Sequence, residues 1–341
     1  MKLFGGRGTR SPGGANGSSG TPLLDEIEEL TRVNRDQRDP EVEARLVRMR
    51  HEAFAKLERH DGPAPMPEPD CGGIEWIDGV PAVAPDRLSA VTLRAGILEG
   101  GCVLVRGLLT PERIERTIAG IDRSFAARDV AQSGGAAEPG WYEPLTLGGG
   151  AYNLERQRQW VTSAGGVWTA DSPRVTFELI ELFAEVGLLP VMADYLGERP
   201  VASVNKWTLR RVSPGGDGDW HQDGAFLGTD IRAINVWLSL SDCGVDAPGM
   251  DLVPRRLDRI VETGTEGARF DWSVSPAVAR ELLDGSEPVR PAFQAGDVLL
   301  FDELFLHQTA QSAEMTRDRY AVETWCFGPS AYPAKQVPLV L

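Results

Sequence analysis

The chain has 341 residues, 42% of them hydrophobic, enough for an ordinary buried core. Its 35 basic residues against 50 acidic ones leave a formal charge of −15, the wrong sign for gripping phosphate backbones or anionic lipid, so neither nucleic acid nor a membrane surface is an expected partner. Cys71, Cys102, Cys243 and Cys326 form no C-x-x-C pair, which excludes a zinc knuckle or a dithiol redox motif.

The opening MKLFGGRGTR lacks the apolar run of a signal peptide, and the greasiest later stretch, LIELFAEVGLLPVMADYL, is broken by Glu181, Glu185 and Asp194. A reduced, cytoplasmic protein is expected. Residues 1–22 are dominated by Gly, Ser and Pro and read as a flexible tail. From Leu23 to about Arg59 the residues are charged helix formers with a thin apolar set, divided at Asp39-Pro40. They predict two exposed helices, a cover or an arm for homo-oligomer contacts. A proline-rich linker between Asp61 and Pro69 separates this helical extension, 23–67, from a compact domain expected over 68–341.

Thr110-Pro111-Glu112 is a helix start with an N-cap oxygen, a proline at N1 and an acid in the first turn, followed by the apolar stripe Ile114, Ile118, Ile121, Phe125. The pattern recurs at Ser172-Pro173, with the stripe Val175, Leu179, Leu182, Val186 ending at Gly187. Residues 131–171, rich in Gly and carrying Trp141, Tyr142, Trp160 and Trp168, read as a long loop that forms a lid, with Trp168 and Arg156 as candidate substrate contacts. After Pro200 the pattern changes to short β-type runs: VASVNKWTLRRV, AINVWLSLSD, MDLVP, PVRPAF, DVLLF, LFLHQTA and YAVETWCF. Turn residues separate them without helical repeats, the signature of an antiparallel sandwich or jelly roll. The expected class is therefore α+β, a helical N-terminal half supporting a C-terminal β-sandwich.

Of the four histidines, His51 and His60 lie in the charged helical arm and read as solvated residues, while His221 and His307 lie in the β-rich half. In Trp220-His221-Gln222-Asp223, residues two apart on an extended strand project to one face, so an imidazole and a carboxylate can converge on one ion. His307 ends the apolar run DVLLFDELFLH. Two neutral imidazoles and a carboxylate fill three sites of an octahedron and leave three open, the donor set of non-haem Fe(II) oxygenases. Gly296-Asp297-Val298 opens the strand leading to His307, and Arg319 follows on a further strand. A buried arginine there presents a planar fork to the distal carboxylate of a dicarboxylate ligand, with Arg317 as its rival.

WHQD, NVWLSLSD, APGMDLVPRR, AGDVLLFDELFLH and RYAV stand in the order seen in the phytanoyl-CoA dioxygenase family, which the sequence resembles. The similarity is strongest over residues 200–327, weaker over 90–125, and absent before about 68. It implies a double-stranded β-helix (cupin-like jelly roll) that binds Fe(II) and uses 2-oxoglutarate and O2. By position, the resemblance gives His221, Asp223 and His307 as metal ligands. Arg319 would pair with the co-substrate, preferred over Arg317 because it stands two before Ala321-Val322. Trp237 and Asn205 match pocket positions of that family. Two departures stand out: Val253-Pro254-Arg255-Arg256 replaces the family's usual turn, with two arginines that could face an anionic substrate, and the N-terminal extension has no counterpart. The implied reaction is hydroxylation of an unactivated C–H bond of a small molecule. Halogenation is disfavoured because related halogenases replace the carboxylate held here by Asp223. A cupin-like metal isomerase or hydrolase, and a catalytically silent binding protein of the same fold, remain the alternative readings.

Overall fold

A computed structural model of the chain describes residues 22–148, 152–216, 218–228 and 231–341. The tail expected over residues 1–22 lies outside these, apart from Pro22, which opens the first helix. That helix, α1 (Pro22–Asp36), is followed by α2 (Pro40–Ala53), where Asp39 caps the backbone N–H groups of Glu41 and Val42 ahead of a proline at N1. A β-hairpin, β1 (Glu75–Ile77) and β2 (Val80–Val83), leads to α3 (Ala90–Gly100) and β3 (Cys102–Val105). The helix predicted at Thr110 runs as α4 (Pro111–Gln132), with the Thr110 hydroxyl accepting from Arg113 N.

Residues 131–171 are not one long loop. They contain a helix, α5 (Leu154–Ser163), and a strand, β4 (Gly166–Trp168). The helix buries only Val161 and so gives no apolar stripe to read; Asn153 caps it, and a buried ion pair from Arg158 to Asp171 (2.6 Å) holds it down. Next come α6 (Pro173–Glu185), α7 (Leu188–Leu196) and the short strand β5 (Val201–Ser203). The β-rich half continues with β6 (Thr208–Val212), β7 (Ala233–Ser239), β8 (Gly249–Leu252), the helix α8 (Pro276–Leu283), β9 (Val298–Phe301), β10 (His307–Ala310), β11 (Arg319–Phe327) and β12 (Pro338–Val340). PVRPAF forms only single bridges, Val289 to Leu252 and Phe293 to Cys243, because Pro288 and Pro291 have no N–H to give a ladder.

The result is a mixed α+β fold. The large sheet runs β1-β2-β3-β9-β7-β11-β5-β12, with β6 beside the first half of β11 and β4 outside β6; only β2 and β3 pair in parallel. A second, two-stranded sheet pairs β10 with β8, and its edges are extended by the bridges His221–His307 and Leu252–Val289. Strand β7 is buried along its whole length, so its alternation sorts side chains between two cores. Ile234, Val236 and Leu238 pack toward the helices, while Trp237 faces Leu252, Phe293, Phe301 and Phe305 between the sheets. All four cysteines are free thiols, and no helix of the described residues is long and apolar enough to cross a membrane.

Of the two N-terminal helices, α2 is not exposed, and the pair forms a cover. Ile27, Leu46, Met49 and Ala53 close over Phe177, Val201 and Val340, so α2 lies on α6 and β12. Glu43, on α2, is fully buried and accepts from Arg38 (2.6 Å), Arg174 (2.6 Å) and Asn34 (3.3 Å), while Arg50 donates to the Val340 carbonyl (3.0 Å). The charge density that suggests solvation in the sequence is here partly turned inward and paired. Removing one member of such a set strands the rest. Glu43→Ala is therefore expected to cost about 2–3 kcal/mol, read as a lowered urea midpoint with an unchanged slope, and Glu43→Gln to recover part of that loss.

Candidate metal centre

His221 and His307 face each other across an antiparallel bridge. His221 N donates to His307 O (2.9 Å) and His307 N donates to His221 O (3.1 Å), the hydrogen-bonded pair of an antiparallel ladder. This brings the two rings to 4.4 Å between centroids. Each ring is oriented by the carbonyl two residues earlier: His221 Nδ1 lies 2.7 Å from Asp219 O, and His307 Nδ1 lies 3.0 Å from Phe305 O. A carbonyl can only accept, so both Nδ1 atoms carry the proton and Nε2 is the atom each ring has left for a ligand.

Asp223 is the first residue of a 3-10 turn, Asp223–Phe226, that follows the extended His221-Gln222. The intervening Gln222 points the other way and is fully buried. Its amide donates to Arg259 O (3.0 Å) and Leu304 O (2.6 Å) and accepts from Val261 N (2.7 Å), which clamps the turn to two loops. Gly224 N donates to Glu303 O (2.8 Å), and a Cβ at 224 would stand 2.9 Å from that oxygen, so only glycine passes here. On β7, Asn235 donates to Asp223 Oδ2 (2.9 Å). The other oxygen, Oδ1, is buried without a hydrogen bond and lies 3.7 Å from His221 Nε2.

The candidate ligand atoms of His221, Asp223 and His307 all fall within 4.8 Å of one another. Burial and the neighbouring His307 push the His221 pKa down to about 3, so its ring is neutral. Burial also raises the Asp223 carboxyl, against the pull of His307, Lys206 and the Asn235 bond. Two imidazoles with Nε2 turned to one point and a buried carboxylate with one unsatisfied oxygen are a donor set completed by a divalent cation, and the residues fit a hard or borderline metal ion.

Arg319, at the start of β11, is 5% exposed, whereas Arg317 is half-exposed and pairs with Asp246 at 3.3 Å. The Arg319 guanidinium donates to Gly249 O (3.2 Å) and lies 5.6 Å from the Trp237 ring centroid, and its Nε has no partner. Gly249 pairs with Ala310, three residues along β10 from His307, so the carbonyl that holds this guanidinium lies about 10 Å along the strand from His307. Trp237 thus borders the same space. Asn205 is engaged elsewhere, donating to Gln157 and accepting from Val337 N (2.6 Å), and no contact joins it to the triad. Arg256 pairs with buried Asp302, and Arg255, which is exposed, donates to Leu282 O (2.9 Å) near the end of α8. Trp168 is buried against Arg158, and Arg156 is exposed on α5.

Sequence reasoning missed Asn235, Gln222 and a set of aromatic neighbours. Asn235 was within reach, since it stands two before Trp237 on one strand and so shares its face. Trp272, whose ring is 5.9 Å from His221, and Phe226, at 6.1 Å, carry no local signal because loop conformation alone turns them inward.

The family model for phytanoyl-CoA dioxygenase matches residues 97–317, a span that includes the triad and Trp237 and stops two residues before Arg319. No curated protein matches the chain. Among solved structures, it is similar to the epimerase SnoN in complex with Fe3+, alpha ketoglutarate and nogalamycin RO, at 15% identity over 69% of this chain and 82% of that one, with a TM-score of 0.44. It is similar to EctD from S. alaskensis with 2-oxoglutarate and 5-hydroxyectoine, at 17% identity over 81% and 85%, with a TM-score of 0.46. AviO1 from Streptomyces viridochromogenes Tue57 matches at 20% identity over 70% and 94%, with a TM-score of 0.42.

Asn235 acts on the ion only through Asp223. Asn235→Leu is expected to weaken divalent-metal affinity by about 10–100-fold while leaving the far-UV circular dichroism unchanged; calorimetric titration with Mn2+ checks this, and an unaltered affinity would remove Asn235 from the centre.

Proposed function

The chain belongs to the phytanoyl-CoA dioxygenase family, and from that premise we propose that it is a non-haem Fe(II)- and 2-oxoglutarate-dependent dioxygenase that hydroxylates an unactivated C–H bond of a small molecule. In this reading its two sheets form a double-stranded β-helix, with the triad at the mouth between them. The observation that carries the reading is the pairing of two unspent polar atoms: Asp223 Oδ1 beside the Nε2 atoms of two imidazoles, and Arg319 Nε, whose guanidinium is held at Gly249 about 10 Å along the same strand pair from His307.

His221, Asp223 and His307 would hold the iron, and Arg319 the distal carboxylate of 2-oxoglutarate. Bound iron and 2-oxoglutarate supply the chemistry, in which O2 is activated as the co-substrate loses CO2 to become succinate. The rest is the work of the chain. Burial of Arg319 strips it of water, so a carboxylate arriving there meets a fixed, desolvated fork and not a mobile surface side chain. Trp237 covers one face of that guanidinium and limits its rotation. The Asp219 and Phe305 carbonyls hold the imidazoles in the tautomer that ligates. Asn235 keeps one Asp223 oxygen occupied and the other free. Phe301, 4.9 Å from His307, and Phe305, at 5.9 Å, wall the centre from bulk water on the sheet side.

Anaerobic addition of Fe(II) and 2-oxoglutarate is expected to give the weak visible charge-transfer band of a chelated keto acid. His307→Ala should abolish the band, and Arg319→Leu should raise the 2-oxoglutarate concentration needed for it by about 100-fold, the scale of losing one partner of a desolvated charge pair. Admission of O2 should then release succinate. A metal-loaded wild-type protein with no band would sink this reading in favour of an isomerase, hydrolase or silent binding protein.

A further inference from the structure

Lys206 closes a 3-10 turn, Val204–Lys206, ahead of β6 and projects beside the candidate metal centre. Its ammonium lies 4.5 Å from the ring centroid of Trp325, 4.9 Å from Phe226 and 5.7 Å from Trp160. It makes no hydrogen bond and no ion pair among the described residues. The nearest acids are occupied: Glu323 accepts both Arg210 Nη2 (2.9 Å) and Nε (3.2 Å), and Asp223 belongs to the triad. Aromatic faces offset part of the cost of desolvating a cation, but they accept none of its three N–H donors.

The aromatic wall is continuous from this lysine to the triad. Phe226 lies 4.9 Å from Trp272, Trp272 stacks on Phe270 at 4.9 Å and 8°, and both Phe226 and Trp272 approach the His221 ring. Trp160, on α5, is 51% exposed, so this end of the aromatic row meets solvent. A site of flat, apolar surfaces with one convergent cation is the usual make-up of a pocket for a small organic molecule, where the polar group fixes orientation.

Charge makes the case sharper, and here the argument rests on the iron and 2-oxoglutarate reading. Within the cluster Arg210 cancels Glu323. A divalent ion and Arg319 together balance Asp223 and a doubly charged co-substrate. Among the described residues Lys206 alone is left without a counter-charge, in a half-buried position where desolvation lowers its pKa.

We propose that Lys206 is the specificity-determining residue of the substrate pocket, receiving the carboxylate of a flat, apolar organic acid whose body lies among Trp160, Phe226 and Trp272. The anchor packs on Trp325, six residues along β11 from Arg319, so substrate and co-substrate carboxylates are sorted to different cations. A bound acid would be held by one charged contact at its head and by ring stacking along its body, with the C–H to be attacked facing the His221 edge.

The test uses the full chain, anaerobic, with Fe(II) and 2-oxoglutarate present, titrated calorimetrically with 2-naphthoate and with its neutral counterpart 2-naphthamide. Wild type should bind the acid about tenfold more tightly than the amide, the scale of one charge-assisted contact. Lys206→Arg should keep the preference. Lys206→Met should lose it with the amide affinity and the charge-transfer band intact, and Lys206→Gln repeats the test if Met disturbs the packing. Equal affinities in wild type would overturn the proposal. So would a variant that weakens acid and amide alike, which would make Lys206 a prop for the rings, or one that loses the band while keeping the preference, which would assign the lysine to the co-substrate. If wild type shows no band yet prefers the acid through Lys206, the dioxygenase reading fails and the anchor stands.

Discussion

The reciprocal backbone hydrogen bonds between His221 and His307 are the constraint on which the candidate centre depends. Neither residue lies in a long strand where it would be held by many neighbours: His221 forms a single bridge and His307 is the first residue of β10. The register of that one bridge decides whether two imidazoles share a face. A slip of one residue would send His307 to the opposite side and bring Gln308 in its place. The clamp made by Gln222 on the loops at Arg259, Val261 and Leu304 prevents this slip, which is why a buried amide sits between two candidate metal ligands.

The treatment of buried charge separates scaffold from site. Away from the centre, buried acids are compensated by the chain itself: Glu43 by Arg38 and Arg174, Asp171 by Arg158, Asp297 by Arg106, Asp302 by Arg256. Most of these sets join elements distant in sequence, and removal of one member would strand a partner. At the centre the pattern stops. Asp223 keeps one oxygen free, Arg319 meets only carbonyls and a ring, and Lys206 meets only rings. Uncompensated groups are costly unless something else completes them, so this part of the fold gives up stability that a ligand would restore on binding.

Much of the arrangement was legible because it is written locally. The caps at Asp39 and Thr110 mark helix starts, and proline at N1 fixes them. β-type runs bounded by turn residues gave the strands, and H-x-D spacing gave a shared face for His221 and Asp223. The long-loop reading of residues 131–171 failed because α5 has almost no buried stripe; it is held by a cap and by Arg158 on Asp171, a contact that spacing does not reveal. The expectation of exposed helices failed at α2 for the opposite reason, while the reading of them as a cover fits the packing of α2 on α6 and β12. Their charges look solvated in sequence, yet Glu43 and Arg50 find partners on α6 and β12.

The sequence by itself determined the family, the α+β class and the residue types offered to a metal, since these follow from period, spacing and motif order along the chain. Only the tertiary structure decided which arginine is buried, that Asn205 is spent on Val337 and Gln157, and that Asn235, Gln222, Phe226, Trp272 and Lys206 surround the triad. The physical reason is range. Backbone periodicity and capping act over a few residues, whereas desolvation and charge pairing depend on whichever groups the fold brings within a few ångströms, and nothing in the order of residues states that distance.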